Sequence, residues 1–150
     1  MAAVLRSPLL WVAGFAGLLL LFLGWSLRQD SSIDLAMVKL AVNLNDLAWE
    51  HVSHQPEITK RVMIKKGSVP HLTNFSQAKF KPRQRVEEHL HPDMFEVFFI
   101  ESGEGLITVE GVEISVRPGS CIRVGAGEKH SVVNTSDSED LVMTYFGILP

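Results

Sequence analysis

The chain has 150 residues, 46% of them apolar and 21% charged, with a formal net charge of -3. This composition describes one ordinary globular domain plus an N-terminal addition, with room for a single core. The lone cysteine, Cys121, excludes an internal disulfide framework and any Cys-x-x-Cys zinc or redox motif, so metal ligation falls to histidines and carboxylates.

The first element in chain order is apolar. Residues 7–27, between Arg6 and Arg28, carry no charge and are rich in Leu, Trp and Phe. These 21 residues exceed a signal-peptide apolar region and match the roughly 20 that cross a bilayer. Trp11 and Trp25 stand near the two ends like interfacial anchors, and no small-x-small cleavage site follows. A single-pass transmembrane helix is therefore favoured over a long signal peptide. Arg6 and the α-amine precede the span, whereas Arg28 is followed by Asp30 and Asp34, which slightly favours a C-terminal domain on the non-cytosolic side. Residues 28–46 form a connector, with Ser31 and Ser32 as helix caps and Leu35, Val38 and Val42 loosely at helical spacing.

From residue 47 onward the texture changes. Short apolar or alternating runs at 59–64, 74–80, 95–100, 106–109, 112–116, 121–124, 131–133 and 141–146 predict strands. Turn signals such as Lys66-Gly67, Glu110-Gly111, Pro118-Gly119 and Gly125-Ala126-Gly127 recur too closely for intervening helices. The expectation is an all-β sandwich or barrel of antiparallel strands over 47–150.

Within it, His89 and His91 lie two residues apart, which on a strand projects both to one face. Glu96 opens the next strand beyond a turn holding Pro92, and an antiparallel neighbour can bring its carboxylate toward the imidazoles. A carboxylate heading Val97-Phe98-Phe99-Ile100 is costly unless paired or coordinated. His130, after the glycine turn, can return to the same cluster. Three imidazoles and one carboxylate suit a divalent transition metal, whether iron, manganese, nickel, copper or zinc, with positions left for water or substrate.

These residues resemble the two motifs of the cupins. The first, His-x-His, three or four residues, Glu, six residues and Gly, is matched from His89 through Gly103; the second by Gly119, Gly125-Ala126-Gly127, His130 and Asn134. Two positions depart: the first motif's leading glycine is Arg83 and the second motif's proline is Gly125. Neither is a ligand position, so the departures touch loop shape only. The resemblance, to type-2 cupin domains, covers about residues 47–150. It implies a double-stranded β-helix, a small jelly-roll barrel, with one metal in its mouth held by His89, His91, Glu96 and His130.

His51, His54 and His71 fall outside both motifs and read as surface or loop residues. Cys121 reads as a buried small hydrophobe. Asn134 reads as a strand residue whose amide satisfies neighbouring backbone, which would shield it from glycosylation although Asn74-Phe75-Ser76 and Asn134-Thr135-Ser136 both fit the acceptor pattern. By strand alternation Glu87 shares a face with His89 and His91 and is a candidate catalytic base. Tyr145 is the other candidate catalytic group. Phe80, Met94, Phe98 and Met143 are candidate pocket walls, Tyr145 beside them, though each is equally a core residue by type.

Residues 58–86 hold eight Lys or Arg and no acid, whereas 87–150 hold twelve acids and three bases. Cross-strand pairing is the expected outcome, and a basic rim attracting an anionic ligand the functional alternative. After Arg28 there are twelve bases against seventeen acids, without aromatic-basic interleaving beyond Lys79-Phe80-Lys81, which argues against nucleic acid. What the resemblance implies is a metal-dependent small-molecule enzyme of the dioxygenase, isomerase or lyase kind. The alternative is a metal-assisted binding module without catalysis, as in the family's auxin-binding proteins. A homodimer is expected, because cupin barrels pair through their sheets and open edges invite pairing.

Overall fold

The computed structural model describes residues 41–53 and 55–150. A 3-10 turn at Leu44–Asp46, capped by Asn43, whose side chain accepts from the Asn45 N–H, precedes ten strands. These are β1 (Glu50–Val52), β2 (Gln55–Lys65), β3 (Leu72–Phe80), β4 (Arg85–His89), β5 (Phe95–Ser102), β6 (Gly105–Val109), β7 (Val112–Val116), β8 (Cys121–Val124), β9 (His130–Asn134) and β10 (Leu141–Ile148). They form a six-stranded sheet, β1-β2-β3-β10-β5-β8, and a four-stranded sheet, β4-β9-β6-β7. Every pairing is antiparallel, as the all-β jelly-roll expectation requires.

The strands form where inward apolar residues alternate with outward ones. On β5 the buried residues are Glu96, Phe98 and Ile100; on β9 they are His130, Val132 and Asn134; on β10 they include Leu141 and Met143. The inner faces of the two sheets close on one core that also takes in Ile58, Phe80, Val86, Ile107, Val116 and Val124. Burying each of the larger aliphatic side chains contributes about 1.5–3 kcal/mol. Two strands fall outside the apolar runs of the sequence. β1 is three residues long and mostly exposed, and β4 buries only Val86, so neither shows an alternation to read.

Three rows across the six-stranded sheet set the later geometry. Glu96 stands opposite Gly147, which stands opposite Asn74; Phe98 follows with Tyr145, Ser76 and Val62; then Ile100 with Met143, Ala78 and Lys60. Gly147 lets the Thr73 and Met94 side chains pack close in the first row, since a Cβ there would force both to shift. Cys121 is a correction: it is exposed, on the outward face of β8 opposite Phe99, because strand parity puts Ile122 rather than Cys121 on the core side. The expected span at 7–27, the connector up to residue 40 and His54 lie outside the described residues. Among the described residues no helix is long and apolar enough to cross a membrane.

Candidate metal centre

His89 and His130 are direct cross-strand partners on β4 and β9, and their rings lie 4.2 Å apart between centroids. His91 is not on the strand. β4 ends at His89, and His91 sits in the following loop, where its carbonyl accepts the Gly127 N–H at 2.8 Å. That bond ties the first motif to the glycine turn of the second. Glu96 reaches in from β5 on the opposite sheet, only 6% exposed. One ligand atom from each of these four residues lies within 4.8 Å of the others.

The backbone fixes how two of the imidazoles present themselves. His89 Nδ1 lies 2.9 Å from the Glu87 carbonyl and His130 Nδ1 3.2 Å from the Glu128 carbonyl. A carbonyl only accepts, so each Nδ1 carries the proton and donates it. This leaves Nε2 as the coordinating nitrogen of the neutral ring, with the outer-shell support that ligating histidines commonly have. His130 Nε2 is buried with no hydrogen-bond partner, yet it stands 3.1 Å from Glu96 Oε2, off the line a hydrogen bond needs. His91 Nε2 approaches the same oxygen at 3.4 Å. Lone pairs converging at such distances call for a cation or a proton among them, so the donor set fits a divalent metal.

The titration behaviour agrees. Burial works against the His130 imidazolium, but the Glu96 carboxylate and the Glu128 carbonyl outweigh it and hold the pKa above the ordinary 6.5. Burial pushes the His89 pKa below that value, the Glu87 carbonyl opposing it. In the absence of metal a proton on His130 is favoured where a metal would otherwise sit.

The cluster opens into a cavity of about 270 Å³. Phe80, Met94, Phe98, Met143 and Tyr145 all line it. Tyr145 stacks on Phe98 at 6.0 Å, and burial pushes its phenol up to about 12, despite the bond with Ser76. It is therefore a neutral hydrogen-bond donor near neutral pH and no base. Glu87 is a correction. The β4–β9 register shifts between Val86 and His89, so alternation breaks: Val86 and His89 line the cavity and Glu87 turns outward, its Oε1 accepting from Arg85 Nε at 2.7 Å. His71 is exposed, with its ring at the Pro150 carbonyl. Sequence reasoning missed Lys60, which also lines the cavity. The signal was present, since Lys60 shares strand parity with Ile58 and Val62.

The class these features define is a small antiparallel β-barrel whose mouth could hold one metal ion on three imidazoles and a carboxylate. Residues 76–147 match the family model described as the cupin domain, and the chain carries a type-2 domain of the cupin superfamily. Among curated proteins it is similar to an oxalate-binding protein of Thermotoga maritima, 31% identical over 65 residues, or 43% of this chain. That match covers 54% of the relative, so the chain spans about half the length of the curated relative it matches. Among solved structures it resembles a predicted oxalate decarboxylase of Thermotoga maritima at 25% identity and a TM-score of 0.69, covering 74% of this chain and 100% of that one. The polyketide cyclase RemF of Streptomyces resistomycificus, at 20% identity and a TM-score of 0.61 over 72% of this chain and 78% of that one, shares the fold.

Proposed function

We propose that the chain is a metal-dependent, small-acid-handling cupin displayed from an N-terminal membrane anchor, with its barrel on the non-cytosolic side and acting as a homodimer. His89, His91, Glu96 and His130 hold one divalent transition metal. The observation that carries this is the buried Nε2 of His130 facing the Glu96 carboxylate at 3.1 Å inside the four-residue cluster. When bound, such an ion supplies Lewis-acid polarisation of a ligand oxygen or a lowered pKa for bound water. The similarity to an oxalate-binding protein and to a predicted oxalate decarboxylase supports a small carboxylate as ligand. The apolar walls pack around it, and the Tyr145 hydroxyl donates a hydrogen bond to it.

An enzyme of lyase, isomerase or dioxygenase type is the first reading, because Tyr145 puts a proton donor on the cavity wall. A binding module without catalysis is the second, favoured by the outward turn of Glu87, which leaves the wall without the base that the sequence offered.

The test is a pair of variants in the full chain. His91→Ala should lose most metal, whereas His71→Ala should keep it. Metal bound only to the folded state stabilises by about 2.7 kcal/mol at a hundredfold excess over Kd. Adding metal should therefore raise the melting temperature of wild type and His71→Ala and barely move His91→Ala. Equal metal content and equal shifts in the two variants would sink the four-ligand site.

A further inference from the structure

Lys60 stands on the inner face of the six-stranded sheet. Ile58 and Val62 flank it at two-residue spacing, Ile58 is 1% exposed, and the register partner of Lys60, Ala78, is 4% exposed. Parity therefore directs the side chain inward, and Lys60 lines the same cavity as Tyr145 and the four cluster residues. Its row, Lys60-Ala78-Met143-Ile100, is separated from the Glu96 row by the row that holds Tyr145. Two rows amount to four residues along a strand, about 13 Å at roughly 3.3 Å per residue, and the lysine stem can reach back over part of that. The cavity thus has two poles that attract anions, the metal-competent cluster and an ammonium, with the Tyr145 row between them.

Among the described residues the carboxylate that lines this cavity is Glu96, which belongs to the cluster at the other pole. Glu50, opposite Lys60 on β1, is exposed, and among the described residues no carboxylate lies within ion-pair distance of the Lys60 ammonium. A cation partly removed from water is favoured when an anion meets it there. The anion that can enter this cavity is one that the ligand brings.

We propose that Lys60 is the second anchor of the cavity and selects ligands with two anionic groups several bonds apart, one at the metal cluster and the other on Lys60. This rests on the reading that the cluster holds a metal and that the ligand is a small acid. It also separates acids by length. Oxalate, whose carboxylates are on adjacent carbons, reaches only the cluster, whereas succinate, glutarate or adipate can engage both poles.

The experiment is calorimetry on the metal-loaded full chain in detergent, with oxalate, butyrate and the three longer diacids as probes. At least one longer diacid should bind tenfold or more tightly than butyrate, as a charge-assisted hydrogen bond implies. Lys60→Met should remove that preference while leaving metal and oxalate affinity unchanged, and Lys60→Arg should restore it. A preference that survives Lys60→Met, or a loss that falls equally on oxalate and the longer diacids, overturns the proposal. If the wild type takes up no metal, the reading of the cluster fails instead. The lysine is then judged on the metal-free chain, where a longer diacid that protects wild type but not Lys60→Met supports it, and equal or absent protection overturns it.

Discussion

His130 is where a proton and a metal compete for one place. Its Nε2 faces Glu96 Oε2 at 3.1 Å, and the metal-free ring holds its proton above the ordinary pKa of 6.5. A raised folded-state pKa contributes stability that is fully present below the unfolded value and is lost as pH rises through the folded one. His89 has the opposite sign, since its pKa is lowered: its contribution is present above 6.5 and is lost as pH falls through the folded value. Coordination needs both rings neutral and so releases the His130 proton. The rise in melting temperature caused by metal should therefore grow with pH from about 5 to 8, steepest above 6.5, where His130 gives up its proton. Thermal scans with and without metal across that range measure it, and a shift that does not vary with pH would remove His130 from the ligand set. Asn134 shows a different kind of residue-level constraint. Fully buried, it donates to the carbonyls of Phe80, Lys81 and Glu139 and accepts from the Ser136 N–H, which leaves its amide no access for glycosylation in the folded barrel.

At the scale of elements, the sequence exposed the spacing of the motifs and concealed their geometry. Runs such as 95–100 and 141–146 were legible because they are dense in apolar residues, and the four-residue cluster was legible because it follows motif spacing. β4 was not, because a bulge in Arg85-Val86-Glu87-Glu88-His89 leaves no trace in composition, and so Glu87 was placed on the wrong face. His91 reaches the cluster from a loop held by Gly127, and it is the cross-strand pairing of His89 with His130 that brings those two rings together. The two departures from the cupin motifs also acquire physical reasons. Arg83 has φ 62, the left-handed conformation that glycine occupies most easily, and its guanidinium reaches Asp137 at 2.6 Å across the turn. Gly125 keeps an N–H that proline would lack and donates it to Glu128 Oε2 at 2.6 Å. Glu128 in turn supplies the carbonyl that orients His130. Gly125→Pro should therefore weaken metal binding by about 10- to 100-fold, the size of outer-shell changes, while the barrel still folds. Competitive metal titration checks this, and wild-type affinity in a folded variant would show that the Gly125–Glu128 bond does not support the site.

On the scale of the whole molecule, charge is divided unevenly along the chain. The bases of 58–86 meet acids of 87–150 at Lys79–Asp140, Arg83–Asp137 and Arg85–Glu87, whereas Arg123–Glu128 and Lys129–Glu88 pair within the acidic half. Arg61 and Lys79 also lie over the Trp49 ring, at 4.2 and 5.0 Å. The outward face of the six-stranded sheet is less polar. Phe95 and Phe99 are 38% and 47% exposed on β5, Ile148 is 39% exposed beside them, and Phe75 packs edge-on against Phe146 at 6.2 Å. The edges of that sheet, β1 and β8, are three and four residues long, too short to pair extensively with another chain, so the face is the better candidate for homodimer contact. A stable interface needs about 800 Å² from each partner, which makes Phe99, the more exposed of the two β5 phenylalanines, the residue to test. Phe99→Lys should convert a dimer to a monomer in light scattering of the detergent-solubilised chain and leave metal binding intact, because Phe99 points away from the cavity. Cys121 gives an independent readout, being exposed directly across from Phe99. Its thiol should react slowly with a maleimide in the wild-type dimer and faster once Phe99→Lys separates the subunits. A wild-type mass of one chain at micromolar concentration, or equal thiol reactivity in both proteins, would exclude this face as the dimer contact.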